Sequence, residues 1–326
     1  MLEIDWQGGV RVMGTPICFD GIRPRETCFV SSADVSLQKR ALPAKMRPKI
    51  LATERTRQLK FPSSDDVLVS PFSRPFALGR ARVELLPSGH LPGAAQLLIE
   101  VKGDRVLYAG ALNPKAGRLS EACKMRDCSA LILSAPLAPL TVDRSLPPRE
   151  EVESALILAV QRAIEKKRTP VVLAPVLGAA QEVVALFSRA RISLKIHPRI
   201  AQYVRQYRQL GIEVAETAEA KSDERVWIWP VNLKKSLELS RLRATTLLFV
   251  SGEAIDPAAV KRAGAREGFP LADHGDLRSL VEYAVAAGAR EVYLTSGFGD
   301  RVAKAFARRK ISAHALEAPS QMSLFR

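Results

Sequence analysis

The sequence predicts a mixed α/β fold in two domains, and three observations support this prediction. Short apolar or alternating runs, separated by glycine and proline, occupy the chain before Asn113 and are typical of strands. From Pro147 and Pro148 onward, strand-like runs alternate with helical patterns, which indicates a parallel sheet. The 326 residues, 47% of them hydrophobic, are enough for a large core and for two domains.

Each element is predicted from its periodicity and its end signals. Strands of the first region are predicted at Val10 to Phe19, Thr27 to Val30, Val83 to Leu86, Gln96 to Val101 and Arg105 to Tyr108. The second region is predicted to contain a helix from Glu151 to Lys166, a strand from Pro170 to Pro175, a helix from Ala179 to Ala190, a strand near Leu194 to Ile196, a helix through Tyr203 and Tyr207, and strands at Arg225 to Trp229 and Thr246 to Val250. The last predicted elements are a helix capped by Asp276 and ended near Gly288, a strand from Glu291 to Thr295 and a helix from Asp300 to Arg309.

The charge of the chain favours a polyanionic partner. Lys and Arg number 49 against 34 acidic residues, which gives a formal net charge of +15. A first basic group contains Lys39, Arg40, Lys45, Arg47, Lys49, Arg55, Arg57 and Lys60. A second contains Arg189, Arg191, Lys195, Arg199, Arg205 and Arg208, and a third Lys234, Lys235, Arg241 and Arg243. Such runs are usually solvated faces, so the charge by itself indicates only a preference for nucleic acid.

Other features point to a cytoplasmic protein without membrane association. No apolar run approaches the length of a membrane span, and the first residues lack the shape of a signal peptide. The four cysteines lack a paired spacing and are predicted to be reduced thiols. Trp227 and Trp229 alternate in a predicted strand, so we expect them in a core rather than in a base-stacking platform.

Four segments at the ends of predicted elements carry a more specific signal. They are Ser88-Gly89-His90-Leu91-Pro92-Gly93-Ala94-Ala95, Tyr108-Ala109-Gly110-Ala111-Leu112-Asn113, Leu271-Ala272-Asp273-His274-Gly275-Asp276 and Tyr293-Leu294-Thr295-Ser296-Gly297-Phe298. In order and approximate spacing, from about Trp6 to Leu316, the chain resembles β-CASP nucleases of the metallo-β-lactamase fold. The resemblance is greatest to bacterial exonucleases associated with DNA ligases and helicases. The stretch from Leu177 to Glu182 also resembles the helix start of the inserted β-CASP domain.

The resemblance implies a specific architecture. Residues 1–142 and 261–316 are expected to form a metallo-β-lactamase αββα sandwich. Residues 143–260 are expected to form an inserted β-CASP domain with a parallel sheet. Residues 317–326 are expected to form a flexible tail.

The resemblance also implies that most metal ligands of the family are missing. Ser32, Asp34, Ser36 and Leu37 stand in the first metal-binding run, and Ala111, Ser134 and Ser296 replace the later ligands, while His90 and the phosphate-contacting His274 are kept. A hydrolytic zinc ion needs about three imidazole or carboxylate ligands and an open position for water. We therefore expect neither of the two zinc ions and no metal-dependent catalysis. A lone histidine such as His90 is also common as a packing residue, whereas His274 precedes a helix N-terminus that favours an anion.

The last residues resemble the peptide that binds the bacterial sliding clamp. Its elements are Gln321, Met322, Ser323, Leu324 and Phe325. An extended segment of this type places its Gln amide in one subsite and its apolar pair in a pocket. The alternative is an apolar pair folded against the surface of the protein itself.

Together these observations predict a non-catalytic relative of a DNA exonuclease in the bacterial cytoplasm, associated with the nucleoid. It is expected to bind DNA and the sliding clamp in repair or replication, beside an active nuclease, helicase or ligase. The expected DNA-contacting residues are Lys39, Arg40, Lys45, Arg47, Lys49, Arg55, Arg57 and His274. Three alternatives stay open: a weak mononuclear or metal-free phosphodiesterase built on Asp34, His90 and His274, an RNA substrate, and an assembly scaffold without nucleic-acid contact.

Overall fold

The structure, a computed structural model, describes residues 2–6, 9–24, 26–37, 43, 46–64, 66–115, 117–214 and 226–316. It is a mixed α/β protein with three sheets, which confirms the predicted α/β class. The chain divides into two compact units. The first unit takes in residues 1–116, 120–142 and 274–326, and the second takes in residues 117–119 and 143–273.

The first unit contains two sheets. Six strands form one sheet in sequence order: β1 (Ile4–Trp6), β2 (Val10–Val12), β3 (Ile17–Phe19), β4 (Thr27–Phe29), β5 (Lys49–Ala52) and β6 (Val67–Val69). The other sheet has the order β18-β17-β11-β10-β9-β8-β7, with strands β7 (Phe76–Leu78), β8 (Ala81–Pro87), β9 (Ala95–Val101), β10 (Asp104–Ala111), β11 (Ala130–Ser134), β17 (Glu291–Ser296) and β18 (Ser312–Ala315). Its helices are α1 (Glu54–Lys60), α7 (Leu277–Ala286) and α8 (Asp300–Ala307), with a 3-10 turn at Pro139–Thr141.

Apolar side chains join these layers. One core cluster combines residues of the first sheet, such as Phe19 and Phe29, with residues of the second, such as Leu97 and Tyr108. The two sheets therefore pack against each other. A second cluster joins the other face of the seven-stranded sheet to α7 and α8, where Leu280 and Phe306 are almost fully buried. The seven-stranded sheet thus lies between the six-stranded sheet and two helices.

The second unit is built on a five-stranded parallel sheet of order β13-β14-β12-β15-β16. Its strands are β12 (Thr169–Ala174), β13 (Leu194–Ile196), β14 (Val226–Pro230), β15 (Thr245–Val250) and β16 (Glu267–Phe269). Its helices are α2 (Arg149–Glu165), α3 (Ala179–Arg189), α4 (Pro198–Gln209), α5 (Leu237–Ser240) and α6 (Pro257–Ala263), with 3-10 turns at Val231–Leu233 and Gly252–Ile255. Trp229 is buried in the core of this unit and Trp227 packs beside it, as predicted.

Two observed boundaries differ from the prediction. The predicted strand from Val10 to Phe19 is two strands, because the chain turns at Gly14, where φ is +81°, and Val10 pairs antiparallel with Phe19. The second unit ends at Asp273 instead of near residue 260. The reason is β16, which pairs in parallel with β15 and so extends the five-stranded sheet.

Within the part of the chain that the structure describes, none of the helices combines the length and the apolar character that crossing a membrane requires.

Candidate functional site

Three predicted ligand positions of the first unit meet where neighbouring parallel strands end. Ala111 ends β10, Ser134 ends β11 and Ser296 ends β17. The register pairs Ala111 with Ser134 and Ser134 with Ser296. The Oγ atoms of the two serines lie 2.8 Å apart, within hydrogen-bond distance. The three residues lie together, but their side chains offer one methyl group and a pair of hydroxyls that bond to each other.

The loop after β4 carries the other replaced positions. Ser32 is buried, Ser36 is exposed and Leu37 is half-buried. Asp34 lies between two partners: its Oδ1 accepts a hydrogen bond from the Ser32 hydroxyl, and its Oδ2 lies 3.0 Å from Nε2 of His90. The His90 side chain is fully buried, whereas 40% of the Asp34 side chain is exposed. The partly exposed Asp34 carboxylate therefore provides a hydrogen-bond partner for Nε2 of the buried His90 ring.

His274 completes a cluster with these two residues. Its ring centroid lies 4.4 Å from that of His90, with the ring planes at 57°. Backbone bonds hold the segments that carry the two rings: the Asn113 amide donates to the Ser88 carbonyl at 2.9 Å, and the Gly275 amide donates to the Leu112 carbonyl at 2.8 Å. The structure thus brings together Asp34, His90 and His274.

The electrostatics of the cluster keep Asp34 ionised. Desolvation by the surrounding protein raises the pKa of Asp34, but attraction to His90 and the hydrogen bonds from His90 and Ser32 outweigh it. The charge of His274 adds to this effect. The pKa of Asp34 is consequently held well below its usual range, so the carboxylate is an anion at neutral pH and an acceptor for a proton on His90 Nε2.

The segment that presents His90 is held by close backbone approaches. Gly89 has φ of +77°, and a Cβ atom there would lie 2.1 Å from the carbonyl oxygen of Asn113. The Gly93 carbonyl accepts hydrogen bonds from the hydroxyls of Thr53 and Thr56, at 2.6 and 2.9 Å. These contacts explain why the segment needs its glycines, and they fix the backbone on both sides of His90.

Asp20 and Lys60 also support the loop; the sequence pattern predicted no role for Asp20 and placed Lys60 only in the first basic group. Asp20 accepts hydrogen bonds from the Ser31 amide at 2.7 Å, from the Ser31 hydroxyl at 2.5 Å and from the Tyr108 hydroxyl at 2.8 Å. Lys60, at the end of α1, donates from Nζ to the carbonyls of Ala33 and Val35. Desolvation lowers the pKa of Lys60, and attraction to Asp34 and Asp20 opposes this shift. The one sequence signal for Asp20 is its place directly after a short apolar strand.

The predicted DNA-contacting residues are not equivalent. Arg47 and Lys49 are exposed. Arg55 forms an ion pair with Glu121 at 2.6 Å, and Arg57 forms one with Glu54 at 2.7 Å. The latter two cations are therefore already partly neutralised within the unit. Outside the described residues lie Lys39, Arg40 and Lys45, as well as the predicted clamp peptide Gln321, Met322, Ser323, Leu324 and Phe325.

The donor set does not suit the two-zinc centre that the resemblance implies. Ala111 offers no donor atom, and the Ser134 and Ser296 hydroxyls, bonded to each other, are poor replacements for an imidazole or a carboxylate. Asp34, His90 and His274, with Asp273 directly before His274, offer two carboxylates and two imidazoles, which are enough for at most one hydrolytic ion. The residues present therefore do not fit a pair of metal ions, and no hydrolytic step can be derived through such a pair.

Comparisons with known proteins find similarity to two curated proteins, each over part of the chain. No family model matches the sequence. The chain is 27% identical to a protein of Opitutus terrae named "Probable DNA ligase", over 248 residues, which are 74% of this chain and 24% of that protein. It is 34% identical to an uncharacterized protein of Synechocystis sp. over 161 residues, which are 42% of this chain and 27% of that protein. The chain thus spans about a quarter of the length of the curated relatives it matches.

Proposed function

We propose that this chain is a DNA-binding protein of the β-CASP nuclease type that has lost the two-metal centre. In this role it acts in DNA repair or replication as a non-catalytic subunit or recruiter for an active nuclease, helicase or ligase. Two facing sheets, with helices on the seven-stranded one, and a five-stranded parallel sheet in the second unit support the αββα sandwich and the β-CASP insertion.

The proposal that the protein is non-catalytic is supported mainly by the serine pair at the strand ends. Where the resemblance implies an acidic and an imidazole ligand, Ser134 and Ser296 bond to each other, and Ala111 lies beside them. Hydrolysis by a metal centre needs an ion that lowers the pKa of bound water and steadies the leaving oxygen. With these side chains, we infer that the site retains groups that bind a phosphate but too few ligands to hold two ions.

The proposal that the protein binds DNA is supported by its charge and by the proteins to which it is similar. A net charge of +15 favours a polyanion, because neutralising phosphates releases condensed counterions. The similarity to a protein named "Probable DNA ligase" favours DNA over other polyanions. His274, at the start of the segment that leads into α7, is the residue that we assign to a phosphate contact. The clamp peptide at residues 321–325 is the proposed attachment to the replication machinery, which would place the protein at the bacterial nucleoid.

The non-catalytic half is tested by metal analysis and a nuclease assay on the same preparation. We expect much less than one zinc ion per chain, and no hydrolysis of single-stranded or duplex DNA above a buffer control with added zinc, manganese or magnesium. Hydrolysis that requires zinc and is abolished by His274→Ala, but not by the surface substitution Arg241→Gln, would overturn it.

The DNA and clamp assignments are tested separately. Duplex binding should weaken steeply with salt in the full chain, because phosphate contacts dominate. Removal of residues 317–326, or Leu324→Ala with Phe325→Ala, should abolish binding to the purified clamp and leave DNA affinity unchanged. Weak DNA binding that does not respond to salt would favour the assembly scaffold, and a clear preference for matched RNA would move the substrate to RNA.

One observation favours a second candidate, a residual phosphodiesterase. Asp34, His90 and His274 form a contiguous acid and imidazole cluster, with the 3.0 Å contact and the 4.4 Å ring separation described above. Such a cluster is able to hold or move a proton at His90 Nε2 without a pair of ions. Turnover of a phosphodiester in the presence of EDTA, lost in both Asp34→Asn and His90→Gln, is the result that would select this candidate.

A further inference from the structure

The second unit carries a basic surface that lies apart from the predicted DNA-contacting residues. From Arg189 to Leu210 the sequence contains five arginines and no Asp or Glu. Arg189 ends α3, Arg191 follows it in a turn, and α4 carries Arg199, Arg205 and Arg208. All five side chains are exposed. We call these five residues the arginine surface.

Helix α4 presents its three arginines away from the core. Its buried residues are Ile200, Val204 and Tyr207, which share the face that packs on the unit. Arg205 and Arg208 are three residues apart and lie on one side of the helix, whereas Arg199 lies about 120° from Arg205 around the helix axis, so the three arginines are spread over the exposed side of α4. At about 1.5 Å rise per residue, they span roughly 13 Å along the axis. Because α3 and α4 are in contact, the arginines at the end of α3 belong to the same unit surface.

A shallow cavity joins the two helices. Its volume is about 560 Å³, and Arg189 from α3 and Arg208 from α4 both line it, beside Gly211. Glu213 is the carboxylate in its wall. Two arginines from separate helices therefore line one concave surface, an arrangement that suits an anion with several oxygen atoms.

Four of the five arginines differ in ion pairing from the paired arginines of the first basic group. Arg55 and Arg57 are paired with carboxylates. By contrast, no described carboxylate lies within the 4.0 Å ion-pair distance of Arg189, Arg191, Arg199 or Arg205. Lys195 is not counted as part of the arginine surface, because its ammonium group already has partners. Its Nζ lies 3.7 Å from Glu238 and 3.8 Å from the Trp227 ring centroid.

We propose that the arginine surface binds the phosphate backbone of duplex DNA. This inference rests on the proposed DNA-binding function and adds a contact region on the second unit. Arginine suits phosphate because its planar guanidinium donates two hydrogen bonds to one group, and each phosphate neutralised releases counterions. A protein partner is less suitable, because the hot spots of protein–protein interfaces combine Arg with Trp and Tyr anchors in well-packed pockets. Among the described residues, none of the exposed large hydrophobic side chains lies between residues 189 and 212.

The test compares two triple variants of the full chain that lose the same charge. The first is Arg199→Gln, Arg205→Gln and Arg208→Gln, which keeps good helix formers in α4. The control is Lys235→Gln, Arg241→Gln and Arg243→Gln, three exposed positions of the same unit. We expect the α4 variant to bind duplex DNA at least about tenfold more weakly near 0.1 M salt, and to lower the slope of log affinity against log salt by up to about 3. The control should change the slope by less than about 1.

The outcomes separate this inference from the function on which it rests. If the wild-type chain binds no DNA, both the proposed DNA-binding function and the proposed role of the arginine surface are refuted. Wild-type binding that survives the α4 substitutions, or that falls equally in both triple variants, overturns the arginine surface alone. Weakening that is restricted to duplex RNA also overturns it. Circular dichroism and thermal unfolding confirm that each variant is folded before it is assayed.

Discussion

The contact between Asp34 and His90 allows the strongest quantitative prediction. Asp34→Asn keeps the shape and an acceptor oxygen but removes the charge opposite a fully buried imidazole. A hydrogen bond to a charged group contributes about 1.5 to 3 kcal/mol and a neutral one about 0.5 to 1.5 kcal/mol. The difference of about 1 kcal/mol must be reduced, because 40% of the Asp34 side chain is exposed and solvent screens its charge. We therefore expect the free energy of unfolding to fall by about 0.5 to 1 kcal/mol at pH 7.

The pH dependence of this loss has a fixed sign. Because the folded-state pKa of Asp34 is depressed, its stabilising contribution is complete above the unfolded pKa, near 3.9, and is lost as the pH falls through the folded value. The difference in stability between the wild type and Asp34→Asn should therefore be constant from pH 7 to about pH 5 and should shrink below about pH 4.

Urea unfolding at several pH values measures this difference. Asp127→Ala is the matched control, because its side chain is 84% exposed and lies 4.0 Å from Arg105, so its removal should cost close to nothing. Equal stability of Asp34→Asn and the wild type at pH 7 would refute the reasoning. So would a difference that grows as the pH falls.

The other predictions concern the supports of the site, and thermal or urea unfolding checks each of them. Gly297→Ala should destabilise the protein by more than about 3 kcal/mol or prevent folding, because the new Cβ would lie 1.9 Å from the Ala135 carbonyl oxygen, whereas Gly288→Ala, also at positive φ but with open space, should cost only about 1 kcal/mol. Lys60→Met should cost about 1 kcal/mol and speed hydrogen exchange in residues 31–35, since two carbonyls lose their donor, and unchanged exchange would contradict this. Asp276→Ala should cost about 1 to 2 kcal/mol, because Asp276 is buried and caps α7 through the Ser279 amide, and a loss no larger than that of Asp256→Ala at the exposed cap of α6 would argue against it.

The sequence was sufficient for elements whose periodicity is long or whose ends are marked. The strand from Glu291 and the helix that Asp276 caps were placed to within two residues, because an apolar strand and a capping carboxylate are local signals. The same is true of the helix at Ala179–Arg189. The turn at residues 13–16 contains Gly14 and Pro16, but apolar residues continue directly on both sides of it, so two antiparallel strands were predicted as one.

The supports of the site could not be predicted, because they depend on contacts between distant segments. Tyr108 meets Asp20 across 88 residues, and Lys60 meets the loop at Ala33 across 27. Neither Asp20 nor Lys60 has a neighbour in sequence that marks it. For the same reason, the charge pattern did not indicate that Arg55 is paired with Glu121, which lies 66 residues further along the chain.

The contacts of the loop after β4 are compatible with the proposed loss of metal ligands, because they keep the loop ordered without an ion. In a metal centre, the ion itself draws the ligand-bearing loops together, so removal of the ligands usually removes the order of the loop as well. Here Lys60 bonds to two carbonyls of the loop, Asp20 holds Ser31, and Asp34 bridges Ser32 and His90. None of these bonds requires an ion. The loop can therefore hold His90 in place without a metal ion, as the proposed phosphate-binding function requires.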